Sequence, residues 1–219
     1  MIFGVNSQEQ IPGEVVRNSS PKRETGCKKE EQERESMSFR IKEANTEEKL
    51  ACIRKLYEES FPKSEKKPFS MILEKREEGF FDILAIEDER GRFCGLAIML
   101  LACDLALLDY LAIAPEYQGG GAGSSALREL RDRYGDERLV VEIETTLGEE
   151  AERAENAGER LRRKAFYLRN GMVPMDFLVE LFGVEMEILT FGRKLTFEEY
   201  YSIYEAVLPK KMMDKIRLV

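Results

Sequence analysis

The chain has 219 residues, a formal net charge of −8, no histidine, no tryptophan and 43% hydrophobic content. That length supports one domain with a substantial core plus extensions, and the acidic balance argues against a nucleic-acid binder, whose groove needs a basic surplus. The missing histidine excludes Ser-His-Asp and Cys-His mechanisms and every metal site that depends on imidazole, so a general base must be a carboxylate, a tyrosine, a thiol or a water relayed by one of these.

Residues 1–36 are polar, rich in Glu, Lys, Arg, Gln and Ser, and lack an apolar period, so a disordered extension is expected there, with Met37 as the native start. No apolar run approaches the ~18 residues of a membrane span, and no basic segment leads into an apolar signal core. A cytoplasmic protein without a membrane partner is expected. Cys27, Cys52, Cys94 and Cys103 show no C-x-x-C spacing, which suggests neither a zinc site nor a disulfide framework. The last three stand among apolar neighbours and are expected to be buried thiols.

From Met37 the pattern becomes that of a folded domain, taken as 37–195 with a C-terminal helical extension over 196–219. Residues 38–44 alternate like a half-buried strand. Asn45-Thr46-Glu47-Glu48 caps a helix whose Leu50, Ile53, Leu56 and Tyr57 recur at helical spacing. Pro68 opens a second helix that Gly79 ends. Strands follow over 80–87, 93–102 and 105–113, then a glycine loop and a helix over 124–134. A strand over 139–145, a charged connection over 147–158 and a helix over 159–170, closed by Gly171, come next. Two strands flank Gly183, over 173–181 and 184–191, and Thr196 to Glu199 is a capping box for a helix through Val207, with a helical tail after Pro209.

The most informative stretch is Gln118-Gly119-Gly120-Gly121-Ala122-Gly123, between an apolar strand and a helix. The first turn of a helix leaves backbone N–H groups unpaired and carries roughly half a positive charge, and glycines let an anion approach that backbone closely. The P-loop pattern needs a lysine where Ser124 follows Gly123. The pattern G-x-G-x-x-G needs glycine at Ser124 or Ala126 and also fails. What remains is Q-x-x-G-x-G.

That pattern resembles the acyl-coenzyme A loop of the GNAT superfamily of N-acetyltransferases, [QR]-x-x-G-x-[GA], after the fourth strand. Leu111-Ala112-Ile113-Ala114-Pro115-Glu116-Tyr117 is similar to the family's strand end and proline turn, and Phe166-Tyr167-Leu168-Arg169-Asn170-Gly171-Met172 resembles its A-x-x-[FL]-Y-x-x-x-G-F element. Arg163 stands where a small alanine is usual, and Met172 replaces phenylalanine. The resemblance covers roughly 37–194 and implies an α+β fold of α/β/α layers: a twisted, mostly antiparallel mixed sheet of six to seven strands between helices, with the C-terminal helix as an addition.

The resemblance further implies acetyl-CoA as acyl donor, with no metal. Backbone N–H groups from Gln118 through Gly123 would hold the pyrophosphate, with Ser124 or Ser125 adding a hydroxyl. The main chain of Leu111, Ala112 and Ile113 would pair with the pantetheine amides like an added strand. Tyr167 falls on the family's general-acid tyrosine. The base is open among Asp109, an acid inside an apolar strand, and Glu142 and Glu144, which share one face of the next strand by its period of two. The acceptor is an amine on a small molecule or peptide, gripped near 59–69 and 179–185. A homodimer is left open, as are two other readings, a non-catalytic acyl-CoA-binding or regulatory module and an acetyltransferase of charged tRNA, which the acidic balance disfavours.

Overall fold

The computed structural model describes residues 38–219. The expected extension over 1–36, Cys27 and the start at Met37 lie outside the described residues. Strand β1 (Phe39–Glu43) leads into helix α1 (Glu47–Ser60), whose N-cap Thr46 accepts a bond from the Lys49 amide, and α2 (Phe69–Glu77) follows Pro68. Strands β2 (Phe81–Asp88), β3 (Phe93–Ala102) and β4 (Leu105–Ile113) run as an antiparallel meander. A short turn of helix over Pro115–Tyr117 and the glycine loop carry the chain into α3 (Ala122–Tyr134) and β5 (Leu139–Glu144).

The connection expected to be irregular after β5 contains a short helix, α4 (Glu149–Arg153), and the next helix, α5 (Ala157–Arg169), starts two residues before the expected Glu159. Hairpin strands β6 (Val173–Leu181) and β7 (Val184–Thr190) precede α6 (Phe197–Glu205), whose capping box of Thr196 and Glu199 is complete, and α7 (Lys210–Met213). The chain then returns to the sheet as β8 (Ile216–Leu218), antiparallel to β6. A strand this short and half exposed carries too little apolar alternation to be read from sequence.

The result is one eight-stranded sheet in the order β1-β2-β3-β4-β5-β7-β6-β8. Among the described residues the β4–β5 ladder is the parallel one and the rest are antiparallel. Two cores lie on its two faces. One packs Ile53, Tyr57 and Ile72 of α1 and α2 and Tyr200 and Ile203 of α6 over Ile98, Leu107 and Ile188. The other packs Ala126, Leu127 and Leu130 of α3 and Tyr167 of α5 over Met99, Leu108 and Val141. Covered on both faces, β4 reads as a continuous apolar run, as buried strands do. Only Cys94 of the three described cysteines is buried; Cys52 lies on the outward face of α1 and Cys103 in the β3–β4 turn, so both are exposed, contrary to the reading from their neighbours.

Helix α5 is tied to the sheet by a buried acid. Glu187 on β7 is 3% exposed, and it accepts from Lys164 Nζ at 2.6 Å and from the Thr146 amide and hydroxyl, each at 2.8 Å. Burial alone would raise its pKa, but the bonds from Lys164 and Thr146 outweigh that and hold the carboxyl below its ordinary range. A lowered folded-state pKa favours folding above the unfolded value and is lost as pH falls through the folded one. Lys164→Met should therefore lower stability at neutral pH by about 2–3 kcal/mol and flatten the loss of stability on acidification, both measured by urea unfolding across pH.

Candidate active site

The site begins where β4 and β5 part. Their parallel register holds over Ala106↔Leu139, Leu107↔Val140 and Leu108↔Val141, and ends there. Across β4, Leu108 pairs with Met99 and Tyr110 with Ile98, so Asp109 is the extra residue of a β-bulge. A bulge bends its strand and raises the local twist. Beyond it β4 stays with β3 while β5 pairs with β7 as far as Glu144↔Met186. The main chain of Leu111, Ala112 and Ile113 is thus paired with β3 on one side, while its β5-facing edge has no partner strand among the described residues, which suits an extended ligand bearing amide groups.

The glycine loop closes one end of this fork. Gln118 Nε2 donates to the Ile113 carbonyl at 2.9 Å, fastening the loop to the strand end. Gly119 and Gly121 have φ of 75° and 83°, and Gly121 is the N-cap of α3 in the left-handed region with no side chain capping the helix. The first-turn N–H groups therefore face outward uncapped. Ala122, Gly123 and Ser124 belong to that first turn, since the helix starts two residues earlier than its apolar pattern indicated. A Cβ on Gly123 would stand 3.3 Å from the Phe166 ring, so this glycine lets α3 approach α5. Ser125 Oγ lies 3.5 Å from the Phe39 carbonyl, while a Cβ on Gly120 would stand 3.6 Å from the Tyr117 carbonyl oxygen, an ordinary contact. A pyrophosphate fits such a cradle, which has outward N–H groups, a helix N-terminus and no side chain in the way.

The expected catalytic residues gather around the fork with different partners. Tyr167 on α5 is 1% exposed; burial pushes its phenol well above the ordinary range, against the pull of the Arg163 guanidinium, so it holds its proton at neutral pH. Asp109 is fully buried and accepts from Lys67 Nζ at 2.7 Å on both oxygens. Glu142, 2% exposed, accepts from the hydroxyls of Tyr200 and Tyr204 at 2.6 and 2.5 Å. Burial first, then the Glu142 charge, drives both phenols well above their usual range. Glu144 at the end of β5 is held by Asn156 Nδ2 at 2.8 Å and Arg160 Nε at 3.1 Å, with Arg163 at 3.8 Å. The period of two placed both glutamates on one face, but the tertiary structure gave them separate tasks.

Three residues that sequence reasoning did not assign complete the site. Lys67 neutralises Asp109, Arg163 stands buried beside Tyr167 and Glu144, and Glu65 faces both from the α1–α2 connection. The connection is anchored by aromatics: Tyr110 meets Tyr57 and Phe61 edge-on at centroid distances of 4.8 and 5.0 Å. The Tyr110 hydroxyl donates to the Glu65 carbonyl at 2.9 Å and accepts from the Lys67 amide at 3.1 Å, and Tyr57 donates to the Lys67 carbonyl at 2.9 Å. The departure of Arg163 from the small residue usual at its position was the one available signal. Among the described residues no group of three or more metal-ligating side chains is placed to hold an ion, and no helix is long and apolar enough to cross a membrane.

A sheet parted at its parallel ladder, with a glycine cradle at the mouth and a buried tyrosine on the facing helix, is the architecture of an N-acetyltransferase. The sequence model of the acetyltransferase (GNAT) family matches residues 50–156, from α1 to just before α5. Over those residues the chain carries a GNAT acetyltransferase domain. No curated protein matches the sequence. Among solved structures, a protein assigned to the GNAT family from Bacteroides thetaiotaomicron is 19% identical over 80% of this chain and 98% of its own, with a TM-score of 0.62. The spermidine N-acetyltransferase of Vibrio cholerae in complex with CoA and spermine is 15% identical over 69% and 94%, with a TM-score of 0.52. At these identities the likeness is one of fold.

The Lys67–Asp109 pair predicts a stability effect. Lys67→Met would leave a fully buried carboxylate without its cation, and should destabilise the fold by about 3 kcal/mol in chemical denaturation. Double replacement by Lys67→Met and Asp109→Leu should recover most of that loss.

Proposed function

We propose that the protein transfers an acetyl group from acetyl-CoA to a primary amine by direct attack in a ternary complex. The observation that carries this reading is the free edge of β4 over Leu111, Ala112 and Ile113, running directly into the uncapped N-terminus of α3. Together they offer amide pairing for a pantetheine arm and N–H groups from Gln118 to Ser124 for a pyrophosphate.

Tyr167 serves as general acid to the departing thiolate. Its burial keeps the proton on the phenol in the ground state, so donation is coupled to uptake of a second proton from the nitrogen. A carboxylate at the fork, directly or through a water, takes the first proton from the amine, whose ordinary pKa is near ~10.4. Asp109, Glu142 and Glu144 are the acids positioned there. Supporting a cationic acceptor, a cavity of about 860 Å³ adjoins Glu144 between α4 and the β6–β7 hairpin, lined also by Glu149, Glu150, Glu180 and Glu185 against the two cations Arg153 and Arg160. The structurally similar Vibrio cholerae enzyme acts on spermidine, a cationic amine. A cytoplasmic setting is part of this proposal.

A second reading, a non-catalytic acyl-CoA-binding module, is favoured by one observation: Asp109 and Glu142 already hold intramolecular donors. Thiol release from acetyl-CoA across a panel of primary amines separates the two, since binding with no turnover supports only the module. Gly121→Glu places a side chain on a residue with φ of 83° and a negative charge at the helix N-terminus, and should weaken acetyl-CoA binding at least about tenfold by calorimetry. Tyr167→Phe should lower kcat by about 100-fold and leave that affinity nearly unchanged.

A further inference from the structure

The α1–α2 connection, residues 61–68, looks basic in sequence, but two of its three lysines, Lys66 and Lys67, are engaged within the fold. Lys66 Nζ donates to the Glu58 carbonyl at 2.8 Å and to its carboxylate at 2.6 Å, and Lys67 is held by Asp109. Glu65 is different. The Tyr110 hydroxyl fixes its main-chain oxygen over the β4 bulge, while its side-chain Oε2 is buried without a hydrogen-bond partner among the described residues.

A buried carboxylate oxygen with no donor is costly, and proteins keep such groups where a ligand or a reaction uses them. Among the described residues, the charged groups acting on Glu65 come from across the fork: Glu144 on β5, and Arg163 and Glu159 on α5. Burial raises the Glu65 pKa and Glu144 raises it further, with Arg163 opposing, so the carboxyl holds a proton more readily than an exposed glutamate. Glu144 also lines the acidic cavity, and Arg163 neighbours Tyr167. The Glu65 carboxyl therefore feels the charge of an acid on the cavity wall and of an arginine on the tyrosine helix.

We propose that Glu65, rather than Asp109, Glu142 or Glu144, whose carboxylates already hold donors within the fold, is the residue that receives the acceptor: its free oxygen accepts a hydrogen bond from the incoming primary ammonium and takes the first proton from it. This assignment rests on the transferase reading above. Loss of that proton frees the nitrogen lone pair, which forms the C–N bond at the thioester carbonyl. The C–S bond then breaks, and its electron pair leaves with sulfur. Tyr167 gives its proton to the thiolate and regains one from the nitrogen, which has by then lost two. Glu65 returns its proton to solvent, so that the amide, the free thiol and one released proton balance the ammonium and thioester consumed. An ammonium, with three donors, satisfies Glu65 and still leaves N–H groups for Glu144.

The test compares native protein with Glu65→Gln and Glu65→Asp, measuring acetyl-CoA affinity by calorimetry and kcat/KM by thiol release with a linear diamine, a triamine and a lysine peptide across pH. Expected is unchanged acetyl-CoA affinity in both variants and a loss of about 100-fold or more in kcat/KM for Glu65→Gln. The native rate should rise with pH through the raised pKa of Glu65, because the protonated carboxyl cannot accept. That acid limb should vanish in Glu65→Gln and persist, at a lower rate, in Glu65→Asp. A Glu65→Gln protein with native rate overturns the assignment, as does one that is slower with an unmoved acid limb or with lost acetyl-CoA affinity, since either marks a merely structural role. Native protein that binds acetyl-CoA and releases no thiol with any amine overturns the transferase reading itself, and the assignment with it.

Discussion

Everything at the site depends on one break in backbone pairing. A parallel ladder between β4 and β5 would bury every amide of both strands, and the bulge at Asp109 stops it after three residue pairs. Backbone groups left unpaired inside a protein are costly unless something else satisfies them. Here the open edge of β4 leads into a helix N-terminus that no side chain caps. An open strand edge and an uncapped first helical turn thus lie end to end, and the proposed acyl-CoA site rests on that arrangement.

Holding the fork open requires charge in the interior, and the fold compensates each charge separately. Asp109 sits with Lys67, Glu142 with two tyrosine hydroxyls, and Glu144 with Asn156 and two arginines. A buried pair of this kind adds little net stability, because desolvation offsets most of the attraction, but removing one member is expensive. Such pairs define geometry more than they strengthen the fold. They tie distant segments to the fork: the α1–α2 connection through Lys67, and the C-terminal helix α6 through Tyr200 and Tyr204. The C-terminal segment therefore belongs to the support of β5, and β8 extends the same sheet beyond β6.

Much of the fold was legible because its signals are local. The Thr46 and Thr196 caps, the turns at Gly79 and Gly171, and the apolar runs of β2 to β5 follow from side-chain chemistry within a few residues. The order of strand, glycine turn and helix was legible for the same reason, and the resemblance placed Tyr167 on the helix that Gly171 closes. Glu65 was not, because nothing in Ser64-Glu65-Lys66-Lys67 distinguishes the acid from a solvated loop charge. Its character arises only when Tyr110 pins the loop and α5 brings Arg163 across from it. Cys52 and Cys103 failed in the opposite direction, since apolar neighbours in sequence do not specify which face of a helix or turn a side chain occupies.

The sequence by itself determined the class of protein and the strand, glycine turn and helix N-terminus on which the proposed acyl-CoA site rests, because these act through backbone groups that neighbouring residues dictate. Only the tertiary structure decided how the carboxylates divide. Whether an acid is neutralised, hydrogen-bonded or left with a free oxygen depends on donors delivered from other elements, and those distances are set by packing across the sheet.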